Sequence, residues 1–174
     1  MERGISRLDC LLMAGIEVEV HVKQVQEVMS KNPVCCTADQ TVQDVAKTLR
    51  DQNIGSVPVI ANQQSRRLEG VVTDRDLCCT VIADGKDPKN TKVSDSMSRN
   101  PVACKPQDSL EDCMKLMQQR KIRRVPIVDD HNRVIGIIAQ ADVSVAAEPE
   151  KVHKTVVEIS KAPAQQPAGG RVTA

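Results

Sequence analysis

The chain has 174 residues, and 24 Lys and Arg against 23 Asp and Glu leave a net charge of +1. That balance gives no electrostatic basis for a dedicated nucleic-acid or anionic-membrane binder, and no apolar run is long enough to span a bilayer. There is no Phe, Tyr or Trp, so Val, Ile, Leu, Met, Ala and Cys must build the core, and aliphatic side chains must clamp any planar ligand.

In chain order, residues 1–22 read as a flexible leader. Its most hydrophobic piece, 11–16, is short, follows Asp9 and lacks a small-residue cleavage site, so a signal peptide is not supported. A short helical turn is expected at 25–29, stopped at Asn32-Pro33 because proline disfavours helix in the residue before it. A strand at 34–37 follows, then a helix with Val42, Val45, Ala46 and Leu49 on one face, capped by Asp39 or Thr41. Strands at 56–61 and 67–73 flank the polar turn 62–66, and a second helix starts near Asp74.

The same order then returns. A turn at 93–97, a strand at 102–105 and a helix bearing Leu110, Cys113, Met114 and Met117 are expected, with Asp108 or Ser109 as its cap. Strands at 125–128 and 134–138 flank a shorter turn, 129–133, and a last helix starts near Ala141. Beyond 148 the composition reads as a mostly disordered tail, in which Val152, Val156 and Ile159 form one short amphipathic turn, or the segment simply packs on the body or frays.

The likeness of the halves is quantitative. Residues 24–60 laid over 92–128 without a gap agree at twelve of thirty-seven positions, including IGSVPVI at 54–60 against IRRVPIV at 122–128. Chance would give about two, at roughly 6% identity per random pair. The offset of 68 slips to 66 between GVVTDRD at 70–76 and GIIAQAD at 136–142, and the tighter second turn absorbs the difference. Units of about sixty residues are marginal alone, so the two are expected to share one body. The expected fold is α+β, with β-α-β-β-α repeats at 23–85 and 86–148 packed pseudo-symmetrically.

Catalytic chemistry finds no support. No nucleophile-base pair, carboxylate dyad or phosphate loop is present, and His21, His131 and His153 lack partners of that kind. Seven cysteines occur without CxxC spacing, and adjacent residues such as Cys35-Cys36 and Cys78-Cys79 point to opposite faces of a strand. A zinc site is therefore not supported. Free thiols serving as small core hydrophobes fit a reducing compartment, the cytoplasm.

Two segments carry a possible site. Thr73-Asp74-Arg75-Asp76 ends an apolar strand and opens a helix; Thr73 serves there as an N-cap, or Thr73 and Asp76 together hold two ribose hydroxyls. Ile54-Gly55-Ser56-Val57-Pro58 places a glycine where a ligand can approach backbone, or where a helix simply ends before an edge strand.

Together, in register and twice, these segments resemble the tandem CBS-domain family, whose paired repeats form a Bateman module; the resemblance covers about residues 24–146. It implies that Ile54, Gly55, Ser56, Val57 and Pro58 take an adenine, while Val72, Thr73, Asp74 and Asp76 frame the ribose. A weaker second site is implied at Arg123, Arg124, Val125, Pro126, Ile138 and Asp142, because Ala139 replaces the hydroxyl and Arg123-Arg124 replace Gly55-Ser56. Arg75, Arg120 and Lys121 are candidate phosphate contacts. The function implied is a regulatory, non-enzymatic module that senses AMP, ADP or ATP and acts on a separate partner protein as a homodimer. No obligatory cofactor or metal is expected. The alternative is a dimerisation scaffold that has lost its ligand.

Overall fold

A computed structural model describes residues 22–161, so residues 1–21 of the leader and the end of the tail lie outside the described residues. A 3₁₀ turn at Val25–Glu27 leads through β1 (Ser30–Lys31) and β2 (Cys36–Thr37) to helix α1 (Val42–Asp51). The hairpin β3 (Ser56–Ile60) and β4 (Leu68–Thr73) follows, then α2 (Asp74–Leu77), which runs on into a π turn at Cys78–Ile82. The second half repeats this with a 3₁₀ turn at Val93–Asp95, β5 (Ser98–Arg99), α3 (Leu110–Arg120), β6 (Arg124–Val128), β7 (Val134–Ala139) and α4 (Gln140–Ala146). Helix α5 (Pro149–Ser160) closes the described chain.

Both central helices form for the reasons the sequence suggests. Thr41 and Ser109, rather than Asp39 and Asp108, are the caps, their hydroxyls accepting from the N–H of Asp44 and Asp112 at 3.1 and 3.0 Å. Val42, Val45 and Leu49 are buried on α1, as are Leu110, Cys113, Met114 and Met117 on α3. The expected strand at 34–37 shrinks to two residues, and the one at 102–105 to a single bridge between Cys104 and Ile127.

The two repeats are interlocked. β1 pairs antiparallel with β7, in the second repeat's sheet, while β5 pairs with β4 in the first. Each leading arm therefore completes the other repeat's sheet. Val25 is fully buried in the second core with Val125, Ile127 and Ile138, and Val93 and Met97 are buried in the first with Val57, Val59 and Val72. A boundary at 85/86 thus divides the repeats in sequence but not the cores. A third cluster joins them: Ile60 and Leu68 from one hairpin pack with Val128 and Val134 from the other.

Symmetry extends to the backbone. Every described non-glycine residue of positive φ belongs to an equivalent pair: Asn32 with Asn100, Asn53 with Lys121, and Arg66 with Asn132. Asparagine tolerates that region readily, which suits four of the six. Around the pseudo-two-fold, Leu68 N–H donates to the Asn132 carbonyl while Val134 N–H donates to that of Arg66, both at 2.9 Å. The offset slips in this region, between β3–β4 and β6–β7.

The tail departs from expectation. Residues 149–160 are helical, with Pro149 in the first turn and Thr155 and Ile159 buried. The helix lies on α3, where Gln118 Nε2 donates to Thr155 Oγ1 at 2.8 Å and Lys151 pairs with Glu111 at 3.5 Å.

Candidate functional site

Strand pleat decides which residues can meet a ligand. Val57 and Val72 are cross-strand partners and both enter the first core, so their neighbours Ser56 and Thr73, also partners, face the other repeat. In the second hairpin Val125 and Ile138 enter the core, and Arg124 and Ala139 take the outward places. Of the residues expected to bind, Val57, Val72, Val125 and Ile138 are thus core side chains. Ser56, Pro58, Thr73, Arg124 and Pro126 face the seam. Val71, the partner of Pro58, belongs with them; its two-residue spacing from Thr73 along the strand is the signal the sequence carries for it.

Thr73 and Asp76 are bound to each other. Thr73 N–H and its hydroxyl donate to Asp76 Oδ2 at 2.9 and 2.8 Å, and Thr73 Oγ1 accepts from Asp76 N–H at 3.1 Å. The local cap is therefore real, and it also presents a hydroxyl and a carboxylate side by side, both half-buried. In the second repeat only the Ala139 N–H to Asp142 bond, 2.7 Å, survives. Ser56 is 4% exposed, and its Oγ has no hydrogen-bond partner among the described residues. A buried hydroxyl without a partner is costly, and here it faces the seam.

The Gly55 approach is occupied by protein. A methyl built on Gly55 would fall 2.7 Å from Nη2 of Arg124 and 3.2 Å from Oδ2 of Asp74. Arg124, assigned by sequence to the second cleft, reaches across to the first. Asp74 N–H donates to the Gly55 carbonyl at 3.3 Å, matched by Gln140 to Arg123 at 2.8 Å. Lys121 does not serve the seam: it turns to α5, where its ammonium meets the Glu158 carbonyl and, at 3.6 Å, the Glu158 carboxylate. Arg75 and Arg123 are exposed, and Arg120 is exposed in the last turn of α3.

Ile54 turns away from the seam. With Val42, Ala46, Leu49, Leu77 and Ile82 it lines an apolar groove of about 500 Å³ along α1 and α2, and Ile82 is 75% exposed there. The equivalent face of α3 is the one that α5 covers. Among the described residues, no group of three His, Cys, Asp or Glu side chains is arranged to hold a metal, and no helix is long and apolar enough to cross a membrane.

Two interlocked α+β repeats, with Ser56, Thr73 and Arg124 at the seam between their hairpins, define a paired-repeat module. The chain belongs to the CBS-domain family: the family's pattern matches residues 25–81 and 93–148. It is 37% identical over 124 residues to the CBS domain-containing protein YhcV of Bacillus subtilis, covering 71% of this chain and 85% of that one. Among solved structures, the CBS domain pair of protein MJ0100 in complex with 5′-methylthioadenosine and S-adenosyl-L-methionine superposes with a TM-score of 0.65 at 26% identity, covering 72% of this chain and 95% of that chain. CBSX2 in complex with AMP gives a TM-score of 0.65 at 26% identity, covering 71% and 95%.

Proposed function

We propose that the protein is a regulatory module that binds an adenosine compound such as AMP, ADP or ATP at the first-repeat side of the seam and performs no catalysis. The observation that carries this reading is the buried, unpartnered Ser56 hydroxyl, which shares a face with Thr73. A ligand hydroxyl or ring nitrogen would satisfy Ser56, and the Thr73–Asp76 pair offers the donor and acceptor that a ribose needs. The solved relatives holding AMP, 5′-methylthioadenosine and S-adenosylmethionine support an adenosine core as the common ligand element. Because the arms interlock the sheets, ligand in the seam would bias the angle between repeats, and the effector protein would read that angle. Two copies would pair through the open α1–α2 groove, in the cytoplasm.

One observation favours the alternative of a ligand-free dimerisation scaffold: Arg124 already rests on Gly55. Calorimetric titration with AMP, ADP and ATP separates the two. Binding that is lost in a Thr73→Ala, Asp76→Ala double variant supports the sensor; no heat at millimolar concentration of any of them leaves the scaffold.

A further inference from the structure

We propose that Cys104 and Cys113 are a redox pair, which hydrogen peroxide converts to a disulfide inside the folded second repeat. Both are free thiols of one core, Cys104 on the edge segment beside β6 and Cys113 near the start of α3. They meet between sheet and helix, where the Cys113 S–H donates to the Cys104 sulfur. The first repeat supplies the comparison. Its Cys36 holds the place of Cys104, pairing with Val59 as Cys104 does with Ile127, but Val45 stands where Cys113 would be. A valine fills that place in a closed core, so packing alone does not call for the second sulfur.

Cys104 is the sulfur poised to react first. Cys36 and Cys104 are each 4% exposed, yet they differ in acidity. Burial pushes the Cys36 thiol up to about 12, whereas the bond from Cys113 holds Cys104 below its ordinary range, against burial and the Asp108 and Asp112 carboxylates. One backbone bridge holds the Cys104 segment, and its local opening admits a molecule as small as peroxide. The Cys104 sulfur attacks a peroxide oxygen, the O–O bond breaks, and hydroxide leaves with the thiol proton as water. The Cys113 sulfur then attacks the sulfenic sulfur, an S–S bond replaces S–O, and the hydroxyl leaves with the Cys113 proton as a second water. Two electrons pass from the thiols to the peroxide. In a reducing compartment such a bond is transient and reports oxidant. An S–S bond of about 2.05 Å is far shorter than sulfur contact, so closing it draws α3 and the edge segment together in a close-packed core. That segment follows β5, whose Ser98 pairs with Val71 at the seam, and α3 carries α5. Oxidation therefore stiffens the path from the second core to the seam.

The test treats the full chain with hydrogen peroxide at a level that oxidises exposed Cys78, then alkylates the remaining thiols in denaturant. Trypsin leaves residues 100–115 as one peptide, since Lys105 precedes Pro106, and its cysteines are Cys104 and Cys113 alone. In wild type this peptide should lack two hydrogens, escape alkylation and regain both thiols with dithiothreitol. Cys113→Val, which copies the first repeat, should instead leave Cys104 as a sulfenic acid that dimedone traps. Amide exchange at 102–105 should slow at least about tenfold in the oxidised wild type and stay unchanged in the treated variant. A peptide that remains fully alkylatable, a Cys104 carried to sulfinic acid without the link, a link that forms only in denaturant, or a link that leaves exchange unchanged overturns the proposal.

Discussion

Arg67 and Arg133 meet in an antiparallel backbone bridge on the pseudo-two-fold axis, two like charges at equivalent positions of the two hairpins. Like charges directly opposite are unfavourable, and each is answered by its own carboxylate: Glu69 lies 3.1 Å from Arg67 and Asp129 lies 2.6 Å from Arg133.

Asp129 makes this arrangement sensitive to acid. The Arg133 backbone N–H, then its side chain and the His131 N–H, hold the Asp129 carboxyl below the usual carboxylate range. The folded value lies under the unfolded one of about 3.9, so the stabilisation is complete above that pH and is lost as pH falls through the folded value. Asp129→Asn should flatten the acid limb of a stability–pH curve below about pH 4. An acid limb as steep as wild type would show that the carboxylate has no such part.

The caps of α2 and α4 should respond in opposite directions. Thr73→Ala removes a hydroxyl that accepts from Asp76 N–H and should cost about 1 kcal/mol in urea unfolding. Ala139→Thr supplies the missing hydroxyl where the Asp142 bond already exists, and should add stability of up to the same size. A loss in both variants would mean that the second cap has no room for the side chain.

What could be read from the sequence was what local pattern determines. β-rich runs on either side of a polar turn marked the hairpins, spacing marked the apolar faces of α1 and α3, and the offset slip fell in the hairpin turns because the turns differ in length. β1 and β5 were not legible, because a two-residue strand exists only by virtue of the sheet it joins. α5 was legible only as one amphipathic turn at Val152, Val156 and Ile159, because its docking depends on Gln118 and Glu111 of another helix, which no window on 149–160 contains. The reach of Arg124 is a long side chain's choice between two repeats. Its only trace was the replacement of Ser56 by Arg124 and of Thr73 by Ala139.

The arms enter against glycine. A methyl on Gly70 would lie 2.8 Å from the Ser98 carbonyl, a backbone atom that cannot move without unpairing β5. On Gly136 it would meet first the Met29 sulfur, the end of a flexible side chain, with the Ser30 carbonyl at 3.3 Å. Gly70→Ala should therefore destabilise by about 1–3 kcal/mol, and Gly136→Ala by less. Equal costs measured by thermal unfolding would contradict the inequality between the two arms.

Burial pushes the Cys36 thiol up to about 12, with the adjacent Cys35 adding to the effect and the Cys36 backbone N–H opposing it. The unfolded thiol titrates near 8.5, so the folded state keeps a proton that the unfolded chain releases. Stability is full below about pH 8.5 and declines as pH rises toward 12. Cys36→Ala should weaken that alkaline decline. In native-state labelling with a disulfide reagent at pH 8, exposed Cys78 should react ahead of Cys36, Cys104 and Cys113, all of which are buried.

Removal of α5 tests both packing and assembly. Its Ile159 and Thr155 are buried, and a chain ending at Ala147 gives up that burial along with the Gln118 and Lys121 contacts. The expected loss is about 2–4 kcal/mol, the range for deleting a large buried side chain and its partners. The truncation also uncovers the face of α3 that corresponds to the α1–α2 groove, where Ile82 already stands exposed. Chains with two open apolar faces should associate beyond the proposed dimer, whereas the full chain has one such face closed. Sedimentation of the truncated protein should then show a higher mass that grows with concentration, and Ile82→Lys in the full chain should shift dimer to monomer. A truncated chain of unchanged mass would mean that α5 serves folding alone, and a full chain whose mass ignores Ile82→Lys would move the dimer contact away from the groove.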